Sequence, residues 1–316
     1  MRALIVTNMY PTPERPELGR FVADQVAALR RIGDAEADVE VEVFSFAPAG
    51  GLGAYPRAAA RLRTRHGHER FDVVHAHYGL TIWPALAARG QVRIVTLHGT
   101  DLSHPKARPV TLAGLRVCDV VGVVSEPLAA RVPRWAMRGR PAVLPCGVDL
   151  ERFRPVDRAD ARRALGLDPA GPYVLFPADP ARPEKRYDRA RAAAGDIPLL
   201  TLGGVDPAQV PLWINAANAV LVPSEREGFG LAALEALACD VPVLATPVGV
   251  APPALAGIPG TLCAPFQAAS WRAALAPHLA AADPRVAGRD RAAGYSADVM
   301  ARRVLDTWRA ALAKAS

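Results

Sequence analysis

Two glutamates, Glu227 and Glu235, stand with seven residues between them in the stretch VPSEREGFGLAALEALACDVPVLATPVG, residues 222–249. Ahead of them Ala219 to Pro223 reads as a buried strand, and Leu231 to Ala238 reads as a helix. Ser224 to Gly230 is then a strand-to-helix loop. Gly228 and Gly230 let its backbone come close to a ligand. The helix N-terminus offers unsatisfied N–H groups and a positive dipole end, a ready place for a phosphate. Glu227 sits on the loop ahead of that phosphate, and Glu235 lies about one turn inside the helix. Acceptors on both sides of an anion site suit a ligand with hydroxyls flanking phosphate: ribose, diphosphate, hexose. Taken singly, each glutamate has a plainer reading, as a solvated loop residue or as a partner for a nearby arginine. A glycosidase would set its two carboxylates across the scissile bond, whereas this pair flanks a phosphate-type helix terminus.

The elements that must position these residues alternate along the chain. RALIVTN is a buried strand, and GRFVADQVAALRRIG is a helix closed by Gly33. The strands DVEVEVFSF, FDVVHAH, VRIVTLHG, VVGVVS and PAVLPCG follow, separated by helices in YPRAAARLRTRHGH, TIWPALAARG, LAGLRVC and EPLAARVPRWA. Short β-branched runs between helices predict parallel strands buried on both faces, an open doubly wound sheet. Near 147–156 the pattern restarts through Pro155 and a charged stretch. The strands YVLFPA, IPLLTLG, AVLVPS and VPVLATP then alternate with helices, ending in shorter helices. The tail from 297 to 316 carries Val299, Val304, Leu305, Trp308 and Leu312 at helical spacing, with Ser296 as its N-cap candidate. The domains expected are 1–150, 151–296, and a final helix, 297–316, crossing back to the first domain. Ligands of doubly wound sheets sit at the carboxyl ends of the strands, so two such domains facing each other make one cleft.

At 316 residues and 51% apolar, the chain is long enough for two cores. Its net charge of +7, mostly arginine, suits anionic partners: nucleic acid, membrane lipid or phosphorylated substrates. Arginine in excess alongside much alanine and proline is also what a GC-rich genome writes. The basic residues are scattered, with no zinc-ligand spacing and no aromatic RNA-binding signature, so nucleic acid is the least favoured partner. The cysteines at 118, 146, 239 and 263 are far apart and lack a CxxC, which predicts free thiols in a reducing compartment. No apolar run is long enough to span a membrane, and the opening run is too short for a signal peptide. The expected location is cytoplasmic, with the basic surface suited to peripheral contact at the inner face of the membrane.

Other polar residues read as follows. His75 and His77 in HAH project the same way from a strand end, but no third metal ligand is evident, and a cleft-lining role near an acceptor fits better. With Tyr78, His77 forms an acceptor-side pair. His66 and His68 read as surface residues. The acidic DAEAD at 34–38 reads as a solvated turn after Gly33. His98, at the end of a buried strand in HGTD, is a site candidate.

EGFGLAALEA resembles the E-x7-E signature of glycosyltransferase family 4, the retaining enzymes of the GT-B fold. LGRFVADQVAALRRIG, FDVVHAHYG, TLHGTD, VVSEPLAARV, LPCGVDLERFRP, PARPEK and WINAANAVLVPSEREGFG fill further family positions in order, over nearly the whole chain. The layout is most similar to short bacterial members that act in cell-surface polysaccharide assembly. The resemblance implies an α/β GT-B architecture, two Rossmann-like domains facing across a cleft. It implies transfer of a sugar from a nucleotide-diphosphate donor to a hydroxyl of a glycan, lipid-linked or small-molecule acceptor. The family's reaction is commonly drawn as front-face departure, the leaving phosphate taking the acceptor proton.

Residue by residue, the resemblance implies that Glu235 holds the nucleotide ribose and Glu227 the donor sugar hydroxyls. The amides of Phe229, Gly230 and Leu231 contact the sugar and distal phosphate, with Ser224 beside them. Gly19 matches the loop that closes on the diphosphate, His98 the histidine beside the transferring carbon, and Lys185 the lysine that neutralises the diphosphate. Gly204 and Val205, in the 202–207 loop, match the region that pairs with the base edge. Arg182 stands only three residues before Lys185, where the family has Gly-Arg about five before; Asp179-Pro180 occupy that place. The family's Glu near Pro253 and its Gly at Asp240 are also replaced. No Asp-x-Asp occurs, so no metal and no cofactor beyond the donor substrate are expected. The competing readings are a sugar-nucleotide epimerase or hydrolase on the same fold, and a non-catalytic sugar-nucleotide-binding subunit.

Overall fold

Runs such as Ala3–Val6 and Ala219–Val222 are apolar at successive positions, so strands built from them must be covered on both faces. A computed structural model describes residues 1–36, 38–48 and 51–315. Ala37, in the acidic stretch at 34–38, and Ser316, at the end of the expected last helix, lie outside the described residues. The described chain divides into two units, Met1–Gly147 with Ala297–Ser316, and Val148–Ser296.

Unit 1 runs β1 (Arg2–Thr7), α1 (Arg20–Glu36), β2 (Glu40–Ser45), α2 (Ala54–His66), β3 (Arg70–His77), α3 (Ile82–Ala85), β4 (Arg89–Leu97), α4 (Thr100–Ser103), α5 (Ala107–Leu115), β5 (Val120–Val123), α6 (Glu126–Ala129) and β6 (Ala142–Val143). Unit 2 runs α7 (Arg158–Ala164), β7 (Val174–Phe176), α8 (Tyr187–Ala194), β8 (Leu199–Thr201), α9 (Val210–Ala216), β9 (Ala219–Val222), α10 (Leu231–Ala238), β10 (Val243–Ala245), α11 (Ala251–Leu255), β11 (Leu262–Cys263), α12 (Ala268–Ala280) and α13 (Arg289–Ala293). The last helix, α14 (Ala297–Ala315), belongs to unit 1. All strand pairings within the two sheets are parallel, in the orders β2-β1-β3-β4-β5-β6 and β11-β10-β9-β7-β8.

In unit 1, α1 and α14 pack on one face of the sheet, where Val26 and Leu29 meet Ile5, Ile94, Val304 and Trp308. In unit 2, Val174, Phe176, Leu221 and Leu244 form a core with Trp271 of α12. Several arginines are structural there. Arg158 and Arg162 are nearly fully buried, and their guanidinium groups donate to the carbonyls of Ala217, Pro284, Ala216 and Pro169, satisfying acceptors that the chain leaves open. Burial lowers Arg158 to about 10.

Three expectations are corrected. Gly33 does not close α1: it is buried inside the helix, and a Cβ there would stand 2.4 Å from the Val39 carbonyl oxygen. The glycine is needed for close approach, not for a turn. The acidic stretch is therefore no free turn. Asp34 and Glu36 belong to α1, and Glu36 and Asp38 both pair with Arg309 of α14 at 2.7 Å. These pairs are half-exposed and screened, so the buried Trp308 does more to hold α14. His66 is buried rather than on the surface, at 3.0 Å from Glu69, whereas His68 is exposed.

Candidate functional site

In unit 2 the chain leaves β7 toward β8 on one side and places β9 on the other, so the loops after β7 and β9 flank the topological switch point, where open α/β sheets open a crevice. The loop after β7 carries Lys185 and the loop after β9 carries Glu227. Lys185 Nζ donates to both carboxylate oxygens of Glu227 at 2.7 Å. Ser224 Oγ donates to the same carboxylate at 2.7 Å. The backbone keeps the two loops together, since the Glu225 amide donates to the Glu184 carbonyl at 2.9 Å. The Lys185 and Glu227 side chains are only 17% and 9% exposed, so this ion pair is largely withdrawn from solvent. Arg182, by contrast, is exposed and paired with Glu184 at 2.7 Å.

The Glu227 loop is held from a second direction. Val250 donates its amide to the Phe229 carbonyl at 2.7 Å, and Gly249 packs so closely that a Cβ would stand 2.2 Å from that carbonyl oxygen. Gly230 then turns the chain at φ 95° and serves as the N-cap of α10, with no side chain capping the helix. The first-turn amides, starting at Leu231, are therefore arranged for an anion. Glu235 is the fifth residue of α10 and is half-buried. Gly204, at φ 76°, and Val205 lie in the turn after β8, which is largely exposed. Asp240, where the family has Gly, adopts a left-handed φ of 56°, and its carboxylate accepts from the Gly288 and Arg289 amides at 3.0 and 2.8 Å. The side chain thus offsets the backbone strain by capping the next segment.

Unit 1 has its own switch point between β1 and β3. Gly19, after β1, has φ 64° and would place a Cβ 2.2 Å from the Met9 carbonyl oxygen, so no other residue fits there. His77 ends β3 and His98 follows β4, and the two are joined Nδ1 to Nε2 at 3.1 Å. Phe21 of α1 lies against the His98 ring at 4.8 Å. His77 does not line a cleft: it is fully buried, stacked between His75 and His98. The Trp308 indole donates to His75 Nδ1 at 3.2 Å, so His75 carries its proton on Nε2 and donates to Thr96 Oγ1 at 2.8 Å. His77 Nε2 is buried with no partner among the described residues. The arrangement that leaves no buried N–H unpaired protonates His77 on Nδ1. His98 then accepts at Nε2 and keeps its proton on Nδ1. Tyr78 is half-buried at φ 82°, and burial raises its phenol to about 12.

Asp101 was not singled out in the sequence, although HGTD contains it. It is fully buried and accepts from the amides of Gly79, His98 and Gly99 at 3.3, 2.9 and 2.8 Å. One carboxylate thus ties the turn after β3 to the turn after β4, the two turns that present Tyr78 and His98. Burial raises its pKa, and the three amides oppose that shift.

Burial brings His77 down to about 3, and burial with the neighbouring imidazoles holds His75 and His98 well below their ordinary value. All three are neutral at neutral pH. The unfolded chain binds protons below about 6.5 that the folded rings refuse. For His77, stability therefore rises with pH between about 3 and the unfolded value near 6.5, and is lost on acidification, by up to ~1.4 kcal/mol per pH unit, and the lowered values of His75 and His98 act in the same direction. Thermal melting followed from neutral pH down to about 5 should show this slope, and His77→Gln should flatten it. An unchanged slope in the variant would show that the His77 ring is not one of the groups responsible.

The four cysteines are free, and burial pushes Cys118, Cys146 and Cys239 up to about 12, which leaves them protonated and poor nucleophiles. Among the described residues one cluster has ligand atoms close enough for a metal ion, Glu42 with His66 and Glu69. The Arg2 guanidinium already bonds both carboxylates, and the cluster lies on β2, the end of α2 and the turn before β3 rather than on the loops at the switch points.

Residues 6–152 match the family described as Glycosyltransferase Family 4, and residues 178–280 match Glycosyl transferases group 1. The D-inositol 3-phosphate glycosyltransferase of Actinosynnema mirum is 32% identical over 295 residues, spanning 73% of this chain and 70% of that protein. The protein of the same name from Mycolicibacterium gilvum is 31% identical over 302 residues, 78% of this chain and 67% of the relative. Among solved structures, sucrose-phosphate synthase of Thermosynechococcus elongatus matches with a TM-score of 0.75 at 21% identity, over 99% of this chain and 100% of that one. HepE of Anabaena in complex with UDP-glucose matches with a TM-score of 0.70 at 16% identity, over 98% and 99% of the two chains.

Proposed function

This chain belongs to glycosyltransferase family 4 and has the GT-B fold, and from that premise we propose that it is a retaining, cytoplasmic enzyme using a nucleotide-diphosphate sugar. The observation that carries the reading is Lys185 bonded to Glu227 at a sheet switch point, directly ahead of the uncapped N-terminus of α10. A cation, a carboxylate and a helix terminus together match a diphosphate beside sugar hydroxyls. Lys185 and the α10 dipole hold the diphosphate. Glu227, released from Lys185 when the donor enters, accepts from sugar hydroxyls, with Ser224 orienting it. Phe229, Gly230 and Leu231 present amides to the sugar and the distal phosphate, and Glu235 accepts from the ribose. Gly204 and Val205 lie along the base. In unit 1 the family positions of Gly19, His98 and Tyr78 are those of a diphosphate-closing loop, a histidine beside the transferring carbon and an acceptor-side residue, with His77 supporting His98.

In the transfer the anomeric carbon–phosphate oxygen bond breaks and the acceptor oxygen–carbon bond forms on the same face of the sugar. The acceptor proton goes to the departing phosphate oxygen. Charge grows on that oxygen, and Lys185 is the fixed cation nearest the diphosphate in this reading. The acceptor is a hydroxyl of a glycan, a small molecule or a lipid-linked sugar, the last placing the enzyme at the inner face of the membrane. The curated relatives named for D-inositol 3-phosphate favour a phosphorylated polyol as the first small-molecule acceptor to test.

Incubation with UDP-, GDP- and ADP-sugars, with product stereochemistry read by NMR, tests the reading. Release of nucleoside diphosphate with retained anomeric configuration is expected. Epimerised donor, inverted product, or binding without turnover would each overturn it. Because Lys185 supplies the charge and the sequence has no Asp-x-Asp, activity should survive EDTA. Complete loss in EDTA, restored by magnesium or manganese, would show that a metal shares the diphosphate.

A further inference from the structure

The large hydrophobic side chains found exposed are not spread over the molecule. Leu52, Trp83, Leu86, Val110, Val117 and Trp135 all belong to unit 1. Leu52, Trp83 and Val110 line one cavity of about 370 Å³, whose walls are otherwise Tyr55, Pro56, Ala59, Leu80 and Pro84. It lies where α2, α3 and α5 meet. The Trp83 indole is turned over α5, donating to the Val110 carbonyl at 3.3 Å. Leu86 follows Trp83 by one helical turn, and Val117 lies just past the C-terminal end of α5. Arg116 donates to the Trp135 carbonyl at 2.8 Å, which brings the second tryptophan to the same end.

The charge on these elements is one-sided. Arg57, Arg61, Arg63 and Arg65 are exposed on α2, and Lys106 and Arg108 are exposed at the start of α5. Residues 51–68 contain no acidic residue, and residues 79–118 contain only Asp101, which is buried and bonded to backbone amides. No described helix is long and apolar enough to cross a membrane.

We propose that this α2–α3–α5 face of unit 1 docks on an anionic lipid surface. Tryptophan and leucine beside arginine is the composition of an interfacial contact, in which apolar side chains enter the headgroup boundary while basic ones meet lipid phosphates. The cavity has room for part of an acyl chain. Neither signal holds a protein at a membrane alone; together they do. A second copy of the chain is a poor occupant, because a two-fold contact would set these arginines against themselves without a carboxylate. The inference rests on the placement at the membrane given above, but not on the identity of the donor.

Flotation with phosphatidylcholine vesicles, and with vesicles also containing phosphatidylglycerol, tests it on the full chain. Binding to the anionic vesicles alone, weakened by salt, is expected. Each basic residue near the surface contributes about fivefold, so Arg57→Ala with Arg108→Ala should lower partitioning by about 25-fold. Leu52→Ser with Trp83→Ser should lower it even at low salt. Thermal melting identifies any variant that fails to fold, and the exposed arginine pair keeps the test open if the apolar pair does. Three results would each overturn the proposal: no vesicle binding, equal binding to neutral vesicles, or wild-type binding by both double variants. A dimer in sedimentation that Leu52→Ser with Trp83→Ser dissociates would assign the face to self-association instead. Nucleoside diphosphate titration of the same samples reports on the transferase reading separately.

Discussion

Lys185→Ala is expected to lower turnover by about 10²–10³-fold while raising the donor KM much less, by analogy with loss of one preorganised donor. A diphosphate is already anionic when bound, but charge grows at the bridging oxygen as the glycosyl bond breaks. An ammonium fixed beside that oxygen is engaged more strongly in the transition state, and only the excess raises turnover. The structure adds a reason for the fixed position. Lys185 is 17% exposed and stands 2.7 Å from both oxygens of Glu227, on a turn tied to the Glu227 loop by the Glu225 amide. Arg182 is exposed and already paired with Glu184. Arg182→Ala should therefore cost less in both constants. Steady-state kinetics on the two variants decides between them: an inactive Arg182→Ala beside a mild Lys185→Ala would move the phosphate clamp to Arg182.

The parts of this site that lie within one strand–loop–helix unit are legible in the sequence. The α10 bounds, Leu231–Ala238, agree with the expected helix, and β9 stops one residue short of Pro223, which has no amide for the ladder. Gly230 stands out in the sequence, and the structure uses it for a φ of 95°, whereas Gly249, whose close approach to the Phe229 carbonyl holds the loop, carries no such local signal. Contacts between distant segments were not. The Lys185–Glu227 pair spans 42 residues, and nothing in either segment names the other. Asp101 carries no signal of its own in HGTD, yet its carboxylate accepts from the amides at positions 79, 98 and 99. His77 was misread for the same reason: alternation gives the face of a strand, but not that Trp308 and its helix cover that face. Gly33 and the acids after it show the limit of reading punctuation locally, since glycine ends a helix in one setting and admits a neighbouring backbone in another. The two-residue strand β11 carries too little pattern to stand out from a loop.

Glu227→Ala should abolish transfer and leave nucleoside diphosphate affinity intact or slightly tighter, whereas Glu235→Ala should weaken that affinity by about 10- to 100-fold. The division follows from where each carboxylate stands. Glu227 lies on the loop ahead of the α10 terminus, bonded to Lys185 and Ser224. In this reading it has no share in the nucleotide, and its pairing with Lys185 neutralises the cation that a diphosphate needs. Removing it loses the acceptor for the sugar hydroxyls while freeing Lys185 for phosphate, so the two effects on binding have opposite signs and only the sugar-dependent step suffers. Glu235 sits inside the helix, half-buried, and in this reading accepts a charge-assisted hydrogen bond from the ribose, worth roughly 1.5–3 kcal/mol. That bond is present in the nucleotide complex and in the transition state alike, so its loss appears in affinity more than in turnover. Calorimetric titration of both variants with UDP, GDP and ADP, beside single-turnover rates, separates the roles. Equal loss of nucleotide affinity in the two variants would show that both carboxylates serve the same end of the donor.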